Sequence, residues 1–425
     1  MALKVGELFA SFDLDASGMT GTIRTIETQL EGIGADMIRA GSTLSSMVTD
    51  PLKGIGKSIL SAGMDFTSQM SRVEAISGAS AAEMEKLNAE ALKMGSTTQF
   101  TATEAGQALE YMAMAGWKTS AMINGLEPIM NLAAASGENL ADVSDIVTDA
   151  MTAFGLEAKK ENIARFSDVL AQAASNSNTN VGLMGETFKY VAPVAGALGY
   201  NIEDAAIAIG LMANAGIKGS QSGTALRALL TRLSKPTKED KTAMKELGLS
   251  MTTSTGEMKP LRQLMTEMRG KFSGLTEQEK ALYAATLAGQ EGMSGLLAIV
   301  SASDKDFNKL AASIDNCEGA TGRMAATVLA NAKGDWTLFQ SAVEGAYVAL
   351  FTLNEQAIRK TIQSMTGLVD KFNALDGPMK QVILKMGILA AAIGPVLMYG
   401  GKALMLAGKI APAIAALVSP LGIVA

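Results

Sequence analysis

Between residues 80 and 306 the chain spells out the start of one helix after another. Ser80–Glu83, Thr101–Glu104, Thr276–Glu279 and Ser303–Asp306 each set a hydroxyl residue three positions ahead of an acid. Asn139–Asp142 and Asn201–Asp204 repeat the spacing with asparagine in the cap position. Such a side chain accepts a bond from a free N–H of the first turn. The acid answers the cap's own N–H and favours the positive end of the helix. Six such starts in one region predict a compact many-helix domain over residues 80–315.

The core such helices would bury is unusual. The chain is 48% hydrophobic but only 5% aromatic, with 27 methionines and long Ala/Gly stretches. Ala, Met and Leu are strong helix formers, and small side chains let helices approach closely. Strand-rich chains lean on Val, Ile, Tyr and Thr. The expected class is mainly α, with two small exceptions. Leu8, Ala10, Phe12 and Leu14 alternate with Phe9, Ser11, Asp13 and Asp15, which predicts a short N-terminal strand. LSMTTSTGEMKPL, with its Thr255-Gly256 turn, predicts a small β-hairpin near 248–260.

The flanks have their own texture. Ile23, Ile26, Leu30, Ile33, Met37 and Leu44 carry helical spacing that Pro51 interrupts, and a second amphipathic stretch runs to about Ile76. Residues 1–79 thus read as a strand followed by amphipathic helices. Residues 316–376 read as one long, coiled-coil-like helix or two stacked end to end, with Trp336, Phe339, Val343, Tyr347, Leu350 and Phe351 as the aromatic-rich part. FTATEAGQALEYMAMAGW (100–117) also aligns with YNIEDAAIAIGLMANAGI (200–217) at six identical positions. That match is either a duplication or two similar buried helices.

Chemistry is sparse. With no histidine, the commonest general base and metal ligand are missing. The single Cys317 forms no internal disulfide and no thiolate cluster. Residues 1–18 hold no apolar stretch of the secretory kind, and the lone cysteine suits a reducing cytoplasm. Asp142, Asp145 and Asp149 share a helix face, a spacing compatible with a cation but more often a solvated surface. Basic residues are scattered among acids, so no nucleic-acid footprint emerges. No catalytic, cofactor-binding or metal site is expected.

Gly216, Gly219 and Gly223 pose the sharpest question, since they cluster with Lys218, Ser220 and Thr224 as a phosphate-cradling loop would. A Walker-type loop needs a preceding strand and a Lys followed by Ser or Thr. Here Gly219 follows Lys218, and residues 202–215 are Ala-rich and helical. The glycines therefore read as a structural joint. Gly216 closes one helix in a left-handed conformation, and Ser220 or Ser222 caps the next.

Charge divides the ends. The net charge is −6, yet residues 316–425 carry +3, leaving −9 for the rest. From residue 377 onward there are four lysines and no acid. Residues 377–425 form a hydrophobic, cationic segment that Pro395 and Pro412 break into a helical hairpin. Lys385, Lys402 and Lys409 are its membrane-facing candidates. Packing of the hairpin inside a larger assembly is the alternative.

Three phrases together resemble the core of phage tail tape measure proteins: LADVSDIVTDAMTAFGL (140–156), SNTNVGLMGETFKYVAPVAGALGYNIEDAAIAIGLMANAGIKGSQSGTALRALLTRLSKPT (177–237) and GKFSGLTEQEKALYAATLAGQEGMSGLLAIV (270–300). The resemblance covers roughly residues 60–400. It implies a non-catalytic protein wound inside the tail tube, whose length sets how many tube rings assemble. It also implies ejection ahead of the DNA and a path through the host inner membrane. Implied partners are the tail tube protein, tail assembly chaperones, baseplate or tail-tip hub proteins and the tail terminator, with several copies per tail and no sequence-specific nucleic acid. The family also occurs in contractile tail-like particles. Against it the chain is short and stops inside an apolar run, as a fragment or precursor of a longer ruler would. A membrane-active pore-former or toxin unconnected with a tail is the alternative function.

Overall fold

The computed structural model describes residues 50–373. The chain divides into two units, Ile59–Leu353 and a second made of Met1–Ser58 with Asn354–Ala425. Among the described residues there are sixteen helices and no strand. The expected strand at residues 8–15 and the cationic hairpin at 377–425 lie outside the described residues.

Helix α1 (Asp50–Ser77) has Pro51 in its first turn, where a missing N–H costs nothing. The six anticipated caps all start helices. They precede α2 (Ala81–Thr97), α3 (Ala102–Met114), α5 (Leu140–Ala153), α8 (Ile202–Asn214), α12 (Glu277–Ser301) and α13 (Asp304–Asp315). At Thr101 the hydroxyl accepts from the Glu104 N–H at 3.1 Å, and the Glu104 carboxylate accepts from the Thr101 N–H at 2.8 Å. Between these lie α4 (Thr119–Ser136), α6 (Lys160–Ser175), α7 (Val181–Ala197) and α9 (Gly219–Ser234). Then come α10 (Lys238–Leu247), α11 (Leu261–Phe272), α14 (Ala320–Leu329) and α15 (Ala332–Thr352).

Two expectations about elements are corrected. Residues 248–260 form no β-hairpin. The chain reverses at Gly256 and makes a single antiparallel bridge, Thr252 to Met258. Two backbone bonds flank it, Thr253 N–H to Glu257 O and Lys259 N–H to Met251 O. With no further strand alongside to extend the ladder, one bridge remains a loop. Residues 320–373 form three helices instead of one or two. Asn331 ends the first by capping the second, accepting from the Lys333 and Gly334 N–H groups at 3.1 Å. Gly334 permits the break, because a Cβ there would collide with the Leu329 carbonyl. α14 packs on α4, and α15 on α2, within the Ile59–Leu353 unit.

The core is built from small residues. Ala105, Ala108, Ala133, Ala173, Ala205 and Ala206 are wholly inaccessible beside Leu109, Met112, Met184 and Phe188. Helices α5 and α7 approach until a Cβ on Gly185 would stand 2.5 Å from Ile146 Cγ1. In the second unit α16 (Glu355–Asn373) pairs Arg359 Nη1 with Glu355 Oε1 one turn back, at 3.7 Å.

Candidate functional site

The glycine joint links α8 to α9. Gly216 holds φ at +87°. Its N–H donates to Ala213 O at 3.0 Å, and the next N–H, of Ile217, reaches back to Met212 O at 2.9 Å. These two bonds satisfy carbonyls that the helix end leaves free. α9 then starts behind Lys218, which supplies no side-chain cap. Neither serine caps it: Ser222 is fully buried, with its hydroxyl 3.8 Å from Met212 Sδ.

The three glycines meet different demands. Gly216 has nothing near its missing Cβ, so only its backbone angle constrains it. At Gly219 a Cβ would collide with the Glu186 carboxylate, and the Gly219 carbonyl accepts from Thr187 Oγ1 at 3.0 Å. Gly223 lies where α9 crosses α7, and a Cβ would sit 2.6 Å from Tyr190 Cβ and 2.8 Å from Thr187 O. A helix, not a strand, precedes the cluster. The arrangement fixes a close crossing of α9 and α7.

The same joint stands one hundred residues earlier, between α3 and α4. Gly116 has φ +76°, its N–H donates to Ala113 O at 2.9 Å, and Trp117 N–H donates to Met112 O at 3.0 Å. Lys118 occupies the position of Lys218. The helices on both sides share the offset. α2 and α7 have 17 residues each, α3 and α8 have 13 each, and their numbering differs by one hundred. The 18-residue match in sequence is thus part of a three-helix correspondence. The partners differ, since α4 packs mainly on α14 and α6 whereas α9 packs mainly on α12 and α7.

Polar contacts between helices were not legible in the sequence. Asp168 on α6 is buried and accepts from the N–H of Gly319 at 2.7 Å, and from the N–H and hydroxyl of Thr321 at 2.8 and 2.7 Å. It caps α14 from 151 residues away. Asp204 departs from the expected box. Its carboxylate accepts from the Arg262 backbone N–H at 3.0 Å and from Arg262 Nε at 2.9 Å. The same guanidinium reaches Asp315 at 2.8 Å. Glu110 accepts from Gln69 at 2.6 Å and from Arg72 Nη2 at 2.8 Å. Such contacts give neighbouring helices a fixed register.

The acidic face of α5 meets a lysine. Lys189 on α7 lies 2.9 Å from Asp145 and 3.9 Å from Asp149. The Asp145 bond raises the Lys189 ammonium above its ordinary range, and burial beside Asp145 raises the Asp149 carboxyl. Burial and nearby Asp168 push the Cys317 thiol up, away from the reactive thiolate. Among the described residues no group of three acids or thiols is placed to hold a metal ion, and no helix is long and apolar enough to cross a membrane. Lys385, Lys402 and Lys409 lie outside the described residues.

Residues 88–289, which contain both joints, match the phage-related minor tail protein family. The chain is 33% identical over 419 residues to the tape measure protein of Pneumococcus phage Dp-1, across 96% of this chain and 36% of that protein. It is 30% identical over 340 residues to the probable tape measure protein of Escherichia phage P2, across 79% of this chain and 42% of the relative. The matches thus span 36% and 42% of the relatives' own lengths. No solved structure gives a match. The quoted phrases, the helical unit that carries them and these relatives agree: this chain belongs to the phage tail tape measure family.

Proposed function

We propose that this chain acts as part of a tail tape measure, a structural protein of the tail-tube lumen whose extent sets the length of the tail. The observation that carries the reading is 33% identity, over an alignment covering 96% of the chain, to a protein named for that role. The physics of the fold is consistent with it. A helix delivers ~1.5 Å per residue, so the whole chain drawn out as one helix would reach roughly 640 Å. Helices packed through alanine and glycine, without disulfides and with few aromatic anchors, separate at less cost than a deep aromatic core.

The partners follow as proposals: the tail tube protein, tail assembly chaperones, baseplate or tail-tip hub proteins and the tail terminator, with several copies in each tail. Exposed apolar side chains on α15 support contacts with other helices. Trp336 and Phe339 are 58% and 56% exposed, with ring centroids 5.4 Å apart. A tagged chain purified from assembling particles should bring tube protein with it. Its absence from purified tails would defeat the reading.

The segment 382–425 supports a second step, entry into the host inner membrane after ejection. Its only charges are Lys385, Lys402 and Lys409, and the uncharged runs 386–401 and 410–425 are sixteen residues each. Runs of that length fall just short of the ~18–20 residues that cross a bilayer, and Pro395 and Pro412 interrupt the segment, which favours a helical hairpin or tilted pair over one straight span. A peptide of residues 380–425 should leak dye from anionic liposomes, and Lys402→Glu/Lys409→Glu should weaken the leak. No binding by the parent peptide would leave the segment as packing inside the tail.

A further inference from the structure

One helix of the Ile59–Leu353 unit is broken in the middle. Gly289 in α12 has φ +71° and ψ 176°, angles outside the helical region and open only to glycine, whereas helical geometry resumes on both sides. Neither flank explains the break. Leu, Ala, Gln and Glu around it are good helix formers, and Pro is absent.

The side chain that occupies the kink is Arg232, from α9. Its Nε stands 2.6 Å from where a Cβ on residue 289 would lie, and its Nη1 donates to the Thr286 carbonyl at 3.3 Å. In an uninterrupted helix that carbonyl belongs to the N–H of Gln290, four residues on. Arg232 Nη1 also lies 3.7 Å from Asp240 Oδ1, a buried oxygen with no hydrogen-bond partner of its own. The guanidinium thus compensates both the bent helix and a buried carboxylate.

The two halves of α12 are held differently. The second is keyed into the core by glycines: a Cβ on Gly295 would stand 2.8 Å from Ala225 Cβ and 2.9 Å from Met212 Sδ. The first half buries Ala284, Leu287 and Ala288, and it has Tyr283 donating to Glu246 of α10 at 3.1 Å and Leu282 63% exposed.

We propose that α12 is a two-state element hinged at Gly289 and latched by Arg232, so that withdrawing the guanidinium lets residues 277–301 straighten into one helix. The first half then swings while the second stays on α9. This property of the unit stands independently of any role in measuring a tail.

Spin labels at Gln278→Cys and Ser301→Cys, in the full chain with Cys317→Ala, read the change directly. Residues 23 apart on a straight helix are separated by ~35 Å, and the kinked form is shorter. The chain with Arg232 should show the short distance. Arg232→Ala should add a population near ~35 Å, and Gly289→Ala should shift most molecules there. The Arg232 side chain is 44% exposed, so its truncation opens no cavity but leaves the buried Asp240 carboxylate without its cation, and circular dichroism and a cooperative melt check that the variant is folded. Should Gly289→Ala fail to fold, Arg232→Ala decides alone. The parent's short distance persisting in folded Arg232→Ala would overturn the latch.

Discussion

At Gly216 the chain turns out of α8 with φ at +87° and open space around the absent Cβ. A side chain there meets no neighbour, so the whole cost is backbone strain. Gly216→Val should destabilise the unit by about 1–3 kcal/mol in denaturant melts. Lys218→Ala at the same joint should leave stability unchanged and reveal no nucleotide binding to lose. Gly223 tests the opposite term, because its φ is ordinary and its surroundings are full. Gly223→Ala should cost about 1–3 kcal/mol by forcing α9 away from α7. Asp168 shows what single residues conceal. In the sequence it is one acid in an amphipathic helix, and its partners Gly319 and Thr321 lie 151 and 153 positions away. Asp168→Ala strands the buried Thr321 N–H and hydroxyl and the half-buried Gly319 N–H, and should cost about 2–4 kcal/mol. Arg262 and Glu110 were hidden for the same reason, since a tertiary hydrogen bond leaves no local signature.

Helix starts are legible because their chemistry is complete within four residues. Thr237–Asp240 caps α10 in the same way, with the Thr237 N–H donating to Asp240 at 2.8 Å. That helix escapes a reading by pattern because it is short and largely charged, beside a Thr-rich loop. Asn331 and Gly334 likewise mark the break between α14 and α15, but apolar spacing runs on through them and suggests continuity. The caps also make stability depend on pH. The Ser80 hydroxyl, then its N–H, holds the Glu83 carboxyl below its usual range; the Thr276 N–H, then its hydroxyl, does so for Glu279. Carboxyls depressed in the folded state stabilise it above their unfolded pKa, near 4.3, and lose that contribution as pH falls through the folded value. Glu344, raised by burial and by Glu104 and Asp65, works in the opposite direction. Melting temperature should therefore fall as pH drops below about 4, and Thr276→Ala should flatten part of that slope.

At the scale of the molecule, cap spacing and composition made the helical class readable, while the packing partners did not follow from them. Helices α4 and α9 occupy equivalent places in a three-helix correspondence, yet α14 covers one and α12 the other. Nothing near either helix encodes that choice, because it depends on where the later chain returns. The Ile59–Leu353 unit is also no ruler as it stands: its helices are packed side by side. A tape measure role requires helix laid along the tube, and α16, outside the Ile59–Leu353 unit, is the segment to alter without disturbing the packed core. Three added in-frame copies of its 19 residues bring 57 residues and, at ~1.5 Å each, about 86 Å of helix. Electron microscopy of tails from particles encoding that longer protein measures the outcome. The account predicts normally assembled tails longer by about 86 Å, and tails of unchanged length would contradict it.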